Sequence, residues 1–144
     1  MEKNVIDQFI QEYNFLSNAY PCLITYGAYT YQNATAAYYA QKTRSTKVKQ
    51  TLTEMLADSA NNLGKSLEPT EDWDERKDTV MKKVIKIKFS DNPELKEKLL
   101  ATGDAELINT NWWGDQYWGI CGGYGENKLG KILMEVREEL AMNG

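Results

Sequence analysis

The sequence predicts an α+β, mainly α-helical domain with a small β-hairpin, compact and single over residues 1–144. Apolar residues recur at helical spacing through much of the chain, most plainly at Leu129, Ile132, Leu133, Val136 and Leu140. Only one pair of neighbouring segments is rich in β-formers. With 144 residues, 42% hydrophobic and 26% charged, the chain has the size and balance of one soluble globular unit.

The β-prone runs are Cys22–Tyr26 and Tyr29–Tyr31, broken at Gly27, which predicts the hairpin. An Ala-rich helix follows over Asn33–Lys42, with Asn33 as its cap. Thr46 is the expected cap of a second helix whose face carries Val48, Leu52, Met55 and Leu56. Ser59–Gly64 reads as a short helix ended by its glycine. Asp72 to Glu75 has the spacing of a capping box. The helix it opens puts Trp73, Lys77, Val80, Met81, Val84, Ile85 and Lys88 on adjoining rows. Asn92-Pro93 reads as a cap and first turn, Leu95, Leu99 and Leu100 as an inner face, and Gly103 as the stop. A short extended segment is expected over Glu106–Ile108, and the last helix from near Glu126. Between them, residues 109–125 are too glycine-rich for a helix and too aromatic for a disordered linker, so an ordered loop is expected.

Composition narrows the chemistry. The net charge is −4 with no Lys/Arg-rich run, which argues against duplex nucleic acid as the main partner. Two cysteines do not suggest a disulfide scaffold. Glu2 and Asp7 interrupt Met1–Ile10, so no signal peptide is expected; no apolar run is long enough to span a membrane, and a cytoplasmic location is the default. There is no histidine, which removes Ser-His and Cys-His catalysis and histidine-ligated metal. No metal or cofactor is expected, and acid–base work falls to carboxylates, Tyr, Lys or water. Aromatic residues crowd at Trp112, Trp113, Tyr117 and Trp118, either as core or as a wall for a base or sugar ring.

Several segments together resemble the NADAR family (NAD and ADP-ribose associated), which includes riboflavin-intermediate N-glycosidases. Phe15-Leu16-Ser17-Asn18 matches its "FLSN" signature, and Ala40-Gln41-Lys42 its "AxK" helix. Trp73, Met81 and Lys88-Phe89 match "W…M…KF", and Leu99 to Gly103 resembles "LLxTG". Asp115 to Gly119 matches "DxxWG", and Gly125 to Met134 with Arg137 matches "GxNxLGxxLMxxR". The resemblance covers nearly the whole chain in order. It implies a compact, mainly helical α+β fold and a pocket for an ADP-ribose-like nucleotide. It also implies N-glycosidic bond hydrolysis, the reaction of the family's characterised enzymes.

This sequence departs from the family pattern at polar positions. Thr35, seven residues before Lys42, stands where the family has a glutamate, and Asn109 follows Leu107-Ile108 where a second is usual. Asn61 and Lys65 replace the lysine and arginine of its "AKxLGR" run. Thr and Asn can hydrogen-bond but cannot serve as a base near neutral pH. The expectation is therefore non-catalytic binding or sequestration of an ADP-ribose-like, NAD-derived signal, linear or cyclic, as in countering nucleotide-based antiviral defence. The alternative is an N-glycosidase with Asp115 as its only carboxylate. Trp73 and Trp118 would stack on the ligand, or Trp73 would pack the core. Asp115 would accept from ribose hydroxyls, or cap a turn. Asn18, Thr35 and Asn109 would hydrogen-bond, and Lys42, Lys65 and Lys88 would meet phosphate, unless Lys88 is a solvated helix-end lysine. Gly119, with Gly122, Gly123 and Gly125, would offer backbone N–H groups. Homo-oligomerisation stays open.

Overall fold

A computed structural model describes residues 4–143. Met1 to Lys3, part of the segment read for a leader, and Gly144 lie outside the described residues. The fold is mixed α/β and mainly helical. The chain divides into two compact units: one is residues 18–92, and the other joins the chain up to Ser17 with the chain from Pro93 onward.

The first element belongs to the discontinuous unit. Strand β1 (Val5–Ile6) precedes a 3-10 turn at Gln11–Leu16 that buries Phe15 and Leu16. Neither was foreseen, because two residues of strand and one tight turn leave no periodicity to read.

In the 18–92 unit, β2 (Ile24–Tyr26) pairs antiparallel with β3 (Tyr29–Tyr31), in the register Ile24↔Tyr31 and Tyr26↔Tyr29. Gly27 turns the chain at φ +64°, where a Cβ would be strained. Helix α1 (Ala34–Ala40) starts at Asn33, whose Oδ1 accepts from the Ala36 amide at 2.8 Å. Its Nδ2 donates to the Met55 carbonyl at 3.0 Å, so a single buried side chain ties the hairpin exit to the chain after the next helix. That helix, α2 (Thr46–Leu52), is capped by Ser45 rather than Thr46. It stops at Leu52, so Met55 and Leu56 do not extend its face, and Leu56 is exposed.

Helix α3 (Ala57–Ser66) runs past Gly64, which therefore is not its stop. Gly64 is buried, and a Cβ there would overlap the Tyr39 ring. The small residues Ala36, Ala37 and Ala40 on α1 and Ala60 and Gly64 on α3 let the two helices pack closely. Helix α4 (Trp73–Ser90) buries Trp73, Val80, Met81, Val84, Ile85, Lys88 and Phe89, nearly the stripe expected. The capping box does not form: Asp72 makes no side-chain cap bond, and its Oδ2 pairs with Arg76 Nε at 3.1 Å.

In the discontinuous unit, β1 pairs in parallel with β4 (Glu106–Leu107), Val5 opposite Glu106 and Ile6 opposite Leu107. Helix α5 (Pro93–Ala101) buries Leu95 and Leu99, leaves Leu100 only half-buried, and is followed by Gly103 at φ +64°. Helix α6 (Lys128–Met142) starts two residues later than expected and buries the whole Leu129–Leu140 stripe. It packs on α5 and β4, and Arg137 reaches Thr102 Oγ1 at 3.0 Å.

Candidate functional site

The 18–92 unit holds most of the predicted polar residues. Asn18 and Thr35 come together, since the Thr35 amide donates to the Asn18 carbonyl at 3.2 Å. Asn18 Nδ2 points at Met81 Sδ, 3.6 Å away, while its Oδ1 is buried with no hydrogen-bond partner. A buried acceptor left open beside the first turn of a helix is costly unless a ligand or water fills it.

Lys42, Tyr39 and Asn61 share a second network. Lys42 Nζ donates to the Gly64 carbonyl at 2.9 Å and lies 5.9 Å from the Tyr39 ring centre. Tyr39 Oη donates to Asn61 Oδ1 at 3.3 Å. Lys65 is exposed in the last turn of α3. Of the three lysines expected at phosphate, Lys42 already ties the chain just after α1 to α3, while Lys65 stands in solvent.

Lys88, the third, is fully buried, so it is not a solvated lysine. Its Nζ lies 5.1 Å from the Phe89 ring centre and 5.8 Å from that of Tyr20. Burial pushes its amine down to about 8, with Cys22 pulling the other way. The Cys22 thiol is in turn raised by burial and lowered by Lys88. Trp73 is 6% exposed, 5.2 Å from Tyr38 at 53°, with the Arg76 guanidinium 5.6 Å from its ring centre. That indole is built into the core rather than presented as an open platform.

One feature escaped the sequence reading. A cavity of about 490 Å³ is lined by Arg44, Lys49 and Arg76 with Gln41, Thr43, Thr70 and Asp72. These residues come from the end of α1, the following loop, α2 and the start of α4, and no local motif links them.

In the other unit, residues 109–125 form the ordered loop that was expected. The Asn109 amide donates to Asn127 Oδ1 at 2.9 Å, and Asn109 Nδ2 reaches the Trp118 carbonyl at 3.4 Å. Asn127 sits at φ +50° and also donates from Nδ2 to the Leu107 carbonyl at 3.0 Å. Asp115 Oδ1 accepts from the amides of Tyr117 and Trp118 at 3.1 and 3.0 Å, so the aspartate closes a turn. Trp118 is half-buried, edge-to-face with Tyr117 at 4.8 Å. Gly119 is buried where a Cβ would overlap the Asn109 carbonyl, which explains the glycine by packing. Trp112 and Trp113, read as either core or a ligand wall, are 85% and 62% exposed and meet edge-to-face at 5.1 Å, so neither is core. Among the described residues no cluster of three His, Cys, Asp or Glu can hold a metal, and no helix is long and apolar enough to cross a membrane.

This fold, with its "FLSN" turn, buried helix lysine and asparagine-clamped loop, defines a class with known members. The NADAR domain pattern matches residues 4–141, and the chain belongs to the NADAR family. It is 35% identical over 150 residues to a riboflavin biosynthesis protein of Vibrio vulnificus, covering 97% of this chain and 41% of that one. It is 45% identical over 71 residues to the N-glycosidase YbiA of Escherichia coli, covering 49% of this chain and 44% of that one. In these alignments the chain spans less than half the length of the curated relatives. The NMR structure of the E. coli protein YbiA superposes with a TM-score of 0.85 at 31% identity, over 99% of this chain and 89% of that one.

Proposed function

We propose that the chain hydrolyses an N-glycosidic bond of a phosphorylated N-riboside. Water adds at the anomeric carbon, the C–N bond breaks, and the base leaves carrying a proton. The observation that carries this reading is the open, buried Oδ1 of Asn18 beside Thr35 in a relative of named N-glycosidases. A buried amide oxygen can align the attacking water, and it places negative dipole where positive charge develops on the sugar. The departures from the family pattern leave Asp115 as the carboxylate of this reading on sequence grounds. One of its oxygens is already fixed by two backbone amides, which sets its orientation.

A second reading rests on a specific observation. Thr35 and Asn109 occupy the positions where the resemblance implies glutamates, and Asn109 is engaged in holding its own loop. On that reading the chain holds an ADP-ribose-like or cyclic NAD-derived nucleotide without cutting it, which would suit sequestration of a defence signal.

Incubation with ADP-ribose, its cyclic isomers, NAD and a phosphoribosyl-aminopyrimidine, followed by heat denaturation and chromatography, separates the two. Free base from any of them, lost in Asp115→Asn, supports hydrolysis. Quantitative recovery of an intact, tightly bound nucleotide sinks hydrolysis and favours sequestration.

A further inference from the structure

We infer that the cavity lined by Arg44, Lys49 and Arg76 is a binding site for a phosphoryl group. Three cations against the single carboxylate of Asp72 leave this cavity with a positive excess, in a chain whose net charge is −4. Arg76 is anchored although its side chain is 38% exposed. Its Nη2 donates to the Gln41 carbonyl at 3.1 Å and to Thr70 Oγ1 at 3.0 Å, and its Nε pairs with Asp72 at 3.1 Å. These bonds use the Nε and Nη2 edge and leave the Nη1 N–H pair for a ligand. A guanidinium fixed in this way loses little freedom when it takes a second anion.

The other two cations lack such anchors: among the described residues neither Arg44 nor Lys49 makes an ion pair. Partial burial and the charge of Arg76 hold the Lys49 amine below its ordinary value, so the two cations that line this cavity repel each other. A bound dianion relieves that repulsion. Thr43 lines the same cavity; its Oγ1 accepts from the Ser45 amide at 3.1 Å, which leaves its hydroxyl proton to donate. One anchored guanidinium, with a second guanidinium, an ammonium and a hydroxyl lining the same cavity, suits a phosphoryl dianion better than a singly charged carboxylate.

The inference deepens the proposed function, on which it rests only for the organic part of the ligand. Inorganic pyrophosphate and ribose 5-phosphate are titrated calorimetrically into the full chain, with unphosphorylated ribose as the control. Lys49→Gln is compared with Lys47→Gln, which makes the same charge change two residues away, at an exposed position that does not line the cavity. Lys49→Gln weakens both phosphorylated probes about tenfold, the scale of one charge-assisted hydrogen bond. Lys47→Gln leaves them unchanged, and ribose alone does not bind. Tighter binding of ribose 5-phosphate than of pyrophosphate assigns the site to a sugar phosphate, and the reverse assigns it to an inorganic or nucleotide diphosphate. Equal loss in both variants, or no binding by the wild type, overturns the inference. Binding that persists in a chain without N-glycosidase activity refutes the proposed reaction and leaves this site standing.

Discussion

Replacing Lys88 by Met tests whether a buried amine governs how stability responds to pH. Lys88 is fully enclosed, and burial lowers its amine from 10.5 to about 8. In the unfolded chain the amine returns to its ordinary value. Between these two values the unfolded state therefore holds more protons than the folded one. Raising the pH through that window stabilises the fold, and stability is lost as the pH falls back through the folded value. Over pH 7 to 9 the gain is about 1 kcal/mol. No histidine titrates in this window. Lys49, also lowered, adds in the same direction. The raised Cys22 thiol opposes it above its ordinary 9.0, which is why the window closes at pH 9. Urea unfolding at pH 7, 8 and 9 measures the slope. Wild type gains stability over this range, whereas Lys88→Met loses most of that rise. A flat wild-type profile, or an undiminished slope in the variant, refutes the reasoning.

Three further substitutions probe the frame. Gly64→Ala destabilises by about 1–3 kcal/mol despite its better helix propensity, because the new methyl group meets the root of the Tyr39 ring; the urea midpoint reports it. Asn33→Ala removes a cap bond and the tie to the Met55 carbonyl and costs about 2 kcal/mol, read by thermal melting. Asn127→Ala puts alanine at positive φ and frees the Asn109 amide and the Leu107 carbonyl, costing about 3 kcal/mol. Asn127→Gly recovers only the backbone part of that loss, and chemical denaturation of the pair separates the two contributions.

Helical elements were legible because their signals are local. The Leu129–Leu140 stripe, the Asn33 cap and the Gly27 turn need nothing beyond neighbouring residues. Gly64 was misread as a helix stop because its reason is a ring that stands far back in sequence, on α1. Asp72 looked like a cap until Arg76 took its carboxylate. Lys88 fell on the buried row by spacing, yet its charge suggested solvent; only packing shows that the row prevails. The Arg44, Lys49 and Arg76 cavity left no trace in the sequence, since each cation comes from a different segment.

The parallel pairing of Val5–Ile6 with Glu106–Leu107 also bears on how the chain is born. A ribosome delivers β1 about 100 residues before its partner, which at roughly 5–20 residues per second is a wait of about 5–20 s. By the end of that wait residues 18–92 have been made as one contiguous stretch, whereas β1 still has an unsatisfied strand edge. Folding order during synthesis is thus written into the topology: the inserted unit closes first, and the unit that surrounds it in sequence closes last.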